Sequence, residues 1–210
     1  MRTGRSGQDR MFVTTRRTDQ VRKISIRRAM FWLILIMPCA SCMAQTEPRL
    51  DGHWWLLQSA EQRTAFFGGY YACYVYDVGF RDISGSPDPV RSVTNLYQLG
   101  AVNKHTPVFD AFKKIDAEGP RGQRRVASEK YGDTNGDYWR LSSKAERIEF
   151  VRGYLACQKL HFRVDIGKPL ETYIDQLSAW YGIDDSDPGE IDSKTADDKV
   201  PAVLSRMLRN

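Results

Sequence analysis

The amino-acid sequence predicts an all-α protein: a helical bundle of about six helices, built from two tandem three-helix repeats. Two observations support this prediction. A 22-residue segment occurs twice in the chain, and each copy has apolar residues at helical spacing behind a serine that can cap a helix. Further segments that begin at or near a proline then supply two more helices in each half.

The repeated segment covers residues 52–73 and 136–157, which align without gaps at an offset of 84 positions. Ten of the 22 aligned columns are identical, many more than unrelated segments share, and this indicates an internal duplication. The identical pairs are Gly52/Gly136, Trp55/Trp139, Leu57/Leu141, Ser59/Ser143, Arg63/Arg147, Phe66/Phe150, Gly69/Gly153, Tyr70/Tyr154, Ala72/Ala156 and Cys73/Cys157.

The first helix of each repeat is predicted at about 60–77 and 144–162. Ser59 is followed by Gln62, and Ser143 by Glu146, at the spacing of a capping box. Phenylalanine, tyrosine and cysteine then recur along one face of each helix. A glycine inside a helix costs about 1 kcal/mol relative to alanine. We therefore expect the glycine and alanine of each copy to let another helix approach closely.

The remaining helices follow from proline positions and apolar periodicity. Residues 89–99 and 169–181 are predicted as second helices, and residues 106–115 and 200–209 as third helices. Residues 45–118 then form repeat 1, residues 119–134 a linker rich in glycine and arginine, and residues 135–210 repeat 2, with both repeats in one domain. An acidic loop at 184–198 precedes the last helix.

Residues 1–44 are predicted to be a signal peptide with a long basic region. Arginines and lysines lead into an apolar run at 29–37, and small residues follow it up to Ala44. We expect the mature protein to be periplasmic or extracellular, with no stable membrane span after cleavage. A lipid anchor at Cys42 and an uncleaved N-terminal anchor are the alternatives.

The basic leader also explains the net charge of +5. Nine of the 31 arginines and lysines and two of the 26 acids lie in residues 1–44, which leaves 22 bases and 24 acids, a net charge of −2. A nucleic-acid partner is therefore not predicted. The expected partner is another protein, and the oligomeric state is left open.

Cys73 and Cys157 are the cysteines that remain after residue 44, at matching positions of matching helices. If the two repeats pack about a two-fold axis, equivalent residues near the axis meet, and a disulfide becomes possible in an oxidising compartment. Two separately buried small side chains fit the sequence equally well.

A tryptophan and an arginine in each copy, Trp55 with Arg63 and Trp139 with Arg147, are the candidate binding residues. Each arginine falls in the first turn of a helix, where the helix dipole disfavours a cation. A compensating contact is expected, either stacking on the tryptophan or pairing with a carboxylate. A role in binding an anionic ligand is the functional alternative.

No catalytic residue, metal site or cofactor is predicted. The three histidines show no metal-ligand spacing, and the segment from Asp133 to Asp137 lacks the glycine and glutamate of a calcium loop. The rival hypothesis is an envelope enzyme or metal-dependent protein that uses Cys157, His161 and the acidic loop.

The segments FFGGYYAC (66–73) and FVRGYLAC (150–157) resemble a helix of small periplasmic immunity proteins of the Tai type. These proteins neutralise amidase toxins delivered by type VI secretion, and they are helical and exported. The resemblance covers about eight residues in each copy, and here the cysteine follows the glycine. It implies a non-catalytic, immunity-like binding protein.

Overall fold

The computed structural model describes residues 47–77, 86, 88–118, 134–183 and 195–209, and it is all-α. Its described part contains eight helices. They are α1 (Gly52–Leu57), α2 (Ala60–Asp77), α3 (Pro89–Gln98), α4 (Val108–Glu118), α5 (Gly136–Leu141), α6 (Lys144–Phe162), α7 (Leu170–Trp180) and α8 (Val200–Arg209). The leader with Cys42 and nearly all of the 119–134 linker lie outside the described residues.

The predicted bounds of the two long helices, 60–77 and 144–162, are confirmed by α2 and α6. The helices predicted at 89–99, 169–181, 106–115 and 200–209 are also present, and each end lies within three residues of the predicted one. The predicted number of about six helices is wrong. Each tryptophan lies in a short helix of its own, α1 or α5, so each half has four helices in the described chain instead of three.

The two short helices start at equivalent polar residues. The side chain of Asp51 accepts hydrogen bonds from the amides of His53 and Trp54, and that of Asn135 accepts one from Tyr138. Asp51 and Asn135 are thus the N-cap residues of α1 and α5. Extended backbone at Gln58 and Ser142 ends these helices.

Capping boxes begin both long helices, as the sequence predicts. The Ser59 hydroxyl accepts from the Gln62 amide at 3.2 Å, while the Gln62 side chain accepts from the Ser59 amide at 2.8 Å. Ser143 and Glu146 make the same reciprocal pair at the start of α6. Two amides that have no partner within the helix are satisfied at each start.

The long helices α2 and α6 touch through their backbones at the two repeated glycines. A Cβ atom on Gly69 would lie 1.9 Å from the carbonyl oxygen of Phe150, and one on Gly153 would lie 2.0 Å from that of Phe66. The contact is reciprocal, since glycine meets phenylalanine carbonyl in both directions. No residue with a side-chain carbon at either position fits this approach.

Further along the same helices, Cys73 and Cys157 are paired as a disulfide with a Cα–Cα distance of 6.2 Å. The sequence leaves open whether these cysteines form a disulfide or are buried separately, and in the structure they form the disulfide. Residue numbers rise on both helices from the glycine contacts to the disulfide, so α2 and α6 run in the same direction. Both sulfur-bearing side chains are fully buried.

The other helices pack around this pair. In the described chain α3 lies on α4 and α1, α7 lies on α6 and α8, and α8 also contacts α2. Each half has an aromatic or aliphatic layer against its long helix, with Trp55 and Phe112 in the first and Trp139 and Leu204 in the second. Among the described helices, none has the length and apolar character needed to cross a bilayer.

Replacing Gly69 by alanine will destabilise the fold by about 3 kcal/mol or more, because the neighbouring atom is backbone and the whole helix pair must separate. Gly167→Ala is the matched control, since a Cβ there meets nothing within 4 Å. Urea unfolding of both variants measures the difference. Equal midpoints would show that the helices do not approach this closely.

Loss of the disulfide will cost about 4.5 kcal/mol in the chain-entropy model, because the bond closes a loop with a sequence separation of 84. The Cys73→Ala/Cys157→Ala variant should therefore unfold at lower urea than the oxidised protein and close to the reduced one. Alkylation in denaturant without reductant, followed by mass spectrometry, should leave both residues unmodified. Labelling of either cysteine would contradict the bond.

Candidate functional site

In the first half, the tryptophan and arginine singled out in the sequence converge on one hydroxyl. Trp55 is fully buried and its indole Nε1 donates to Thr94 Oγ1 at 3.0 Å. An Arg63 Nη1 donates to the same oxygen at 3.2 Å. The Thr94 hydroxyl in turn donates to the Val90 carbonyl at 2.7 Å. The oxygen is therefore fully used as an acceptor and a donor.

Arg63 also binds the end of the short helix that precedes it. Its Nε and Nη2 donate to the carbonyl oxygen of Gln58 at 3.1 and 2.8 Å. Carbonyls at a helix C-terminus lack partners within the helix and carry the negative end of its dipole. The charge that is unfavourable at the start of α2 is thus placed at the favourable end of α1.

The second half repeats this arrangement with small changes. Trp139 Nε1 donates to Ser178 Oγ at 3.3 Å, and Arg147 Nε donates to the Trp139 carbonyl at 2.8 Å. An Arg147 Nη2 reaches the Arg140 carbonyl at 3.3 Å, and the guanidinium lies 5.7 Å from the Trp139 ring centroid. The expected stacking contact is present here, and Arg147 is buried.

The structure thus brings each tryptophan together with its arginine, in two separate places. Both tryptophans are fully buried, and the polar atoms of both pairs are hydrogen bonded within the protein. A ligand-binding role for Trp55, Arg63, Trp139 and Arg147 stays a prediction. Their hydrogen bonds give the four residues a structural role that accounts for their repetition.

Thr94 and Ser178 complete these two sites, and sequence reasoning missed them. Each hydroxyl lies 39 residues after the tryptophan it accepts from. They are therefore related by the same offset of 84 as the repeated segment. Extending that offset beyond residue 157 would have aligned the two hydroxyls, since threonine and serine share the acceptor chemistry.

Two residues of the rival enzyme hypothesis, Cys157 and His161, lie in the last two turns of α6. Cys157 is bonded to Cys73, so a thiol nucleophile or thiolate ligand at Cys157 needs the disulfide to be reduced first. His161 Nε2 is hydrogen bonded to the Tyr70 hydroxyl at 3.0 Å. Partial burial lowers the pKa of His161, and the charge of Lys113 lowers it further.

Most of the acidic loop, including Asp184, Asp185, Asp187, Glu190 and Asp192, lies outside the described residues. Asp198, at its end, accepts a hydrogen bond from Trp180 Nε1 at 3.0 Å. Within the ranges that the structure covers, no group of three or more histidine, cysteine, aspartate or glutamate residues could hold a metal ion.

A second buried polar cluster occupies the position equivalent to the Tyr70–His161 bond. Asp77, the last residue of α2, accepts hydrogen bonds from the Tyr154 hydroxyl at 2.6 Å and from Gln158 Nε2 at 2.5 Å. Its other oxygen accepts from Ser205 on α8 at 3.0 Å. Burial raises the pKa of Tyr154 far above its usual range, so the hydroxyl remains a donor. The cluster joins α2, α6 and α8.

A partly buried ion pair on α6 has no counterpart on α2. Glu149 and Arg152 lie one turn apart on α6, with Oε2 and Nε separated by 3.5 Å without hydrogen-bond geometry. Burial raises the pKa of the Glu149 carboxyl, and the positive charge of Arg152 partly opposes that. The equivalent positions in α2 are Ala65 and Gly68. The two halves therefore differ in ionisable groups at these two positions.

Of the ten identical residue pairs, one is both apolar and exposed. Leu57 and Leu141 end the two short helices with 84% and 73% of their surface exposed. The repeated serines are exposed too, but they cap helices. The remaining pairs are mostly buried or bonded within the fold. Leu99 is also 81% exposed, but its equivalent, Ile183, is 6% exposed.

Comparison of the chain with protein-family models, with curated proteins and with solved structures finds no match in any of the three.

Replacing Thr94 by valine will leave the Trp55 indole and one Arg63 N–H without their acceptor in a buried position. We expect a loss of about 1–3 kcal/mol in unfolding free energy. Ser178→Ala is the matched variant and should cost less, because Arg147 keeps its two carbonyl acceptors. Urea unfolding compares them. Wild-type stability in Thr94→Val would remove the structural role assigned to this hydroxyl.

Proposed function

We propose that this chain is an exported, non-catalytic binding protein, built from two tandem helical repeats, that recognises another protein in the manner of an immunity protein. The repeats are related by an approximate two-fold axis between α2 and α6. The exposed leucine that both halves retain, Leu57 and Leu141, is the observation that carries the proposal.

The repeat interpretation is supported by contacts that recur at equivalent positions. A Cβ on Gly52 would meet the ring of Tyr97, and one on Gly136 would meet the ring of Tyr181. The hydroxyls of these tyrosines donate to the carbonyls of Thr106 and Asp198, just before the last helix of each half. Similarity therefore extends beyond the 22 aligned residues to the C-terminal ends of α3 and α7.

Export is supported by the order of residues in the leader and by the cysteine pairing. A basic stretch, a short apolar run and small residues follow one another before residue 45, as in secretory signals. The disulfide between the two halves is typical of proteins that fold in an oxidising compartment.

Leu57 and Leu141 are repeated residues that have no evident role inside the fold. A glycine, tryptophan or arginine that recurs in both halves is used inside the fold, as its contacts show. Leu57 and Leu141 are mostly exposed, so each buries little apolar surface within the fold. Burial of such a side chain in an interface contributes about 1.5–3 kcal/mol, so a partner that covers both would gain substantially.

The resemblance of FVRGYLAC (150–157) to the Tai-type immunity helix supports a specific kind of partner, an amidase toxin delivered into the envelope. Binding then requires surface complementarity and no chemistry in this chain. Trp55, Arg63, Trp139 and Arg147 act as the supports that hold the two leucine-bearing helix ends in place.

The test is co-purification of the tagged, exported chain with a partner from the envelope of the producing cells. Leu57→Ser/Leu141→Ser should keep wild-type stability and lose a partner that the wild-type chain retains, with affinity at least tenfold weaker. Leu99→Ser is the matched control and should retain that partner. If the double variant retained the partner as well as the wild-type chain does, the proposal would be wrong. The proposal would also be wrong if the purified chain alone, without a partner protein, hydrolysed a cell-wall substrate.

A further inference from the structure

Two of the three histidines, which lie far apart in the sequence, come together on the surface of the first half. The ring centroids of His53 and His105 are 4.7 Å apart and the rings are tilted by 49°. Both side chains are exposed. His53 lies in α1, and His105 lies in the loop between α3 and α4. Sequence spacing gives no hint of this pair, because the contact depends on how that loop returns to α1.

The backbone around both histidines is fixed by hydrogen bonds. The His53 amide donates to the Lys104 carbonyl at 3.1 Å, and the His105 amide donates to Asn103 Oδ1 at 2.9 Å. An Arg49 Nη2 donates to the His105 carbonyl at 3.2 Å. The Val108 amide donates to the Leu50 carbonyl at 3.0 Å, which fastens the segment before α1 to the start of α4. The two rings are therefore presented by an ordered support.

Both imidazoles have their ring nitrogens available for a ligand. In the part of the chain that the structure describes, the ring nitrogens of His53 and His105 make no hydrogen bonds. By contrast, His161 Nε2 is hydrogen bonded to the Tyr70 hydroxyl. Asp51, nearby, uses one oxygen to cap α1 and holds Arg49 with the other at 3.5 Å. Its carboxylate is thus engaged elsewhere, and the pair of imidazoles is the available donor set.

The ring separation suits a shared metal ion. Two nitrogens bound to one tetrahedral ion at bond lengths of about 2.0–2.1 Å lie about 3.3 Å apart. Rings with centroids 4.7 Å apart can bring one nitrogen of each to that separation by side-chain rotation. Imidazole nitrogen favours zinc, copper and nickel ions over calcium and magnesium, which prefer oxygen.

We propose that His53 and His105 form a surface site for a divalent transition metal ion, with water in the remaining coordination positions. Copper(II) binds more tightly than nickel or zinc, following the usual order of stability. The bound ion links α1 to the loop before α4. The site belongs to the first half alone, because the position equivalent to His53 is Asp137.

The test is calorimetric titration of the untagged full chain with Cu²⁺, Zn²⁺ or Mg²⁺ alone. The wild-type chain should bind Cu²⁺ and, more weakly, Zn²⁺, and should show no binding of Mg²⁺ to this site. His53→Ala and His105→Ala should each weaken Cu²⁺ binding at least tenfold, because one remaining imidazole holds the ion poorly. His161→Ala is the control and should bind as the wild-type chain does. Unchanged binding by His53→Ala overturns the proposal.

Nuclear magnetic resonance of the wild-type chain gives a readout that no variant's folding can affect. Sub-stoichiometric Cu²⁺ is paramagnetic and should broaden the imidazole and amide signals of His53, His105 and their loop neighbours first. Broadening centred on residues 184–198 or on His161, with the His53 and His105 signals unchanged, would place the metal elsewhere and overturn the proposal.

Discussion

The backbone contact between α2 and α6 is the constraint on which the rest of the fold depends. It exists because both helices carry glycine where they cross, so that each glycine faces the other helix's phenylalanine carbonyl. Close approach of the axes brings Cys73 within bonding distance of Cys157. It also lets Tyr70 and Tyr154 reach polar groups at the end of the opposite helix. A wider spacing would lose all three features together.

The polar side chains beside α1 and α5 supply hydrogen-bond donors to the carbonyls at the ends of these short helices. A helix of six residues has few internal hydrogen bonds, and most of its carbonyls need outside partners. Arginine supplies several donors in a fixed geometry, which suits the end of such a helix. Arg63 and Arg147 both serve this purpose. Thr94 and Ser178 accept the hydrogen bonds of the neighbouring indole N–H groups. The repeated residues thus form one such network in each half.

Much of this architecture could be predicted from the sequence, because the signals are local. Capping boxes and apolar spacing define α2 and α6, and the repeated glycines predict a close helix contact. The short helices were missed, since six residues around a tryptophan carry too little periodicity to distinguish them from a turn. The partners Thr94 and Ser178, and the meeting of His53 with His105, depend on how distant segments fold back. Local pattern holds no information about these contacts.

The Asp77 cluster has a consequence for the order in which the chain can fold. Asp77 closes α2 of the first half, while Ser205 lies near the C-terminus, and the hydrogen bond between them spans 128 residues. The first half therefore does not acquire all of its tertiary bonds until the last helix has been synthesised. The carboxylate that ends α2 therefore gains its full set of hydrogen bonds only once the C-terminal helix has docked.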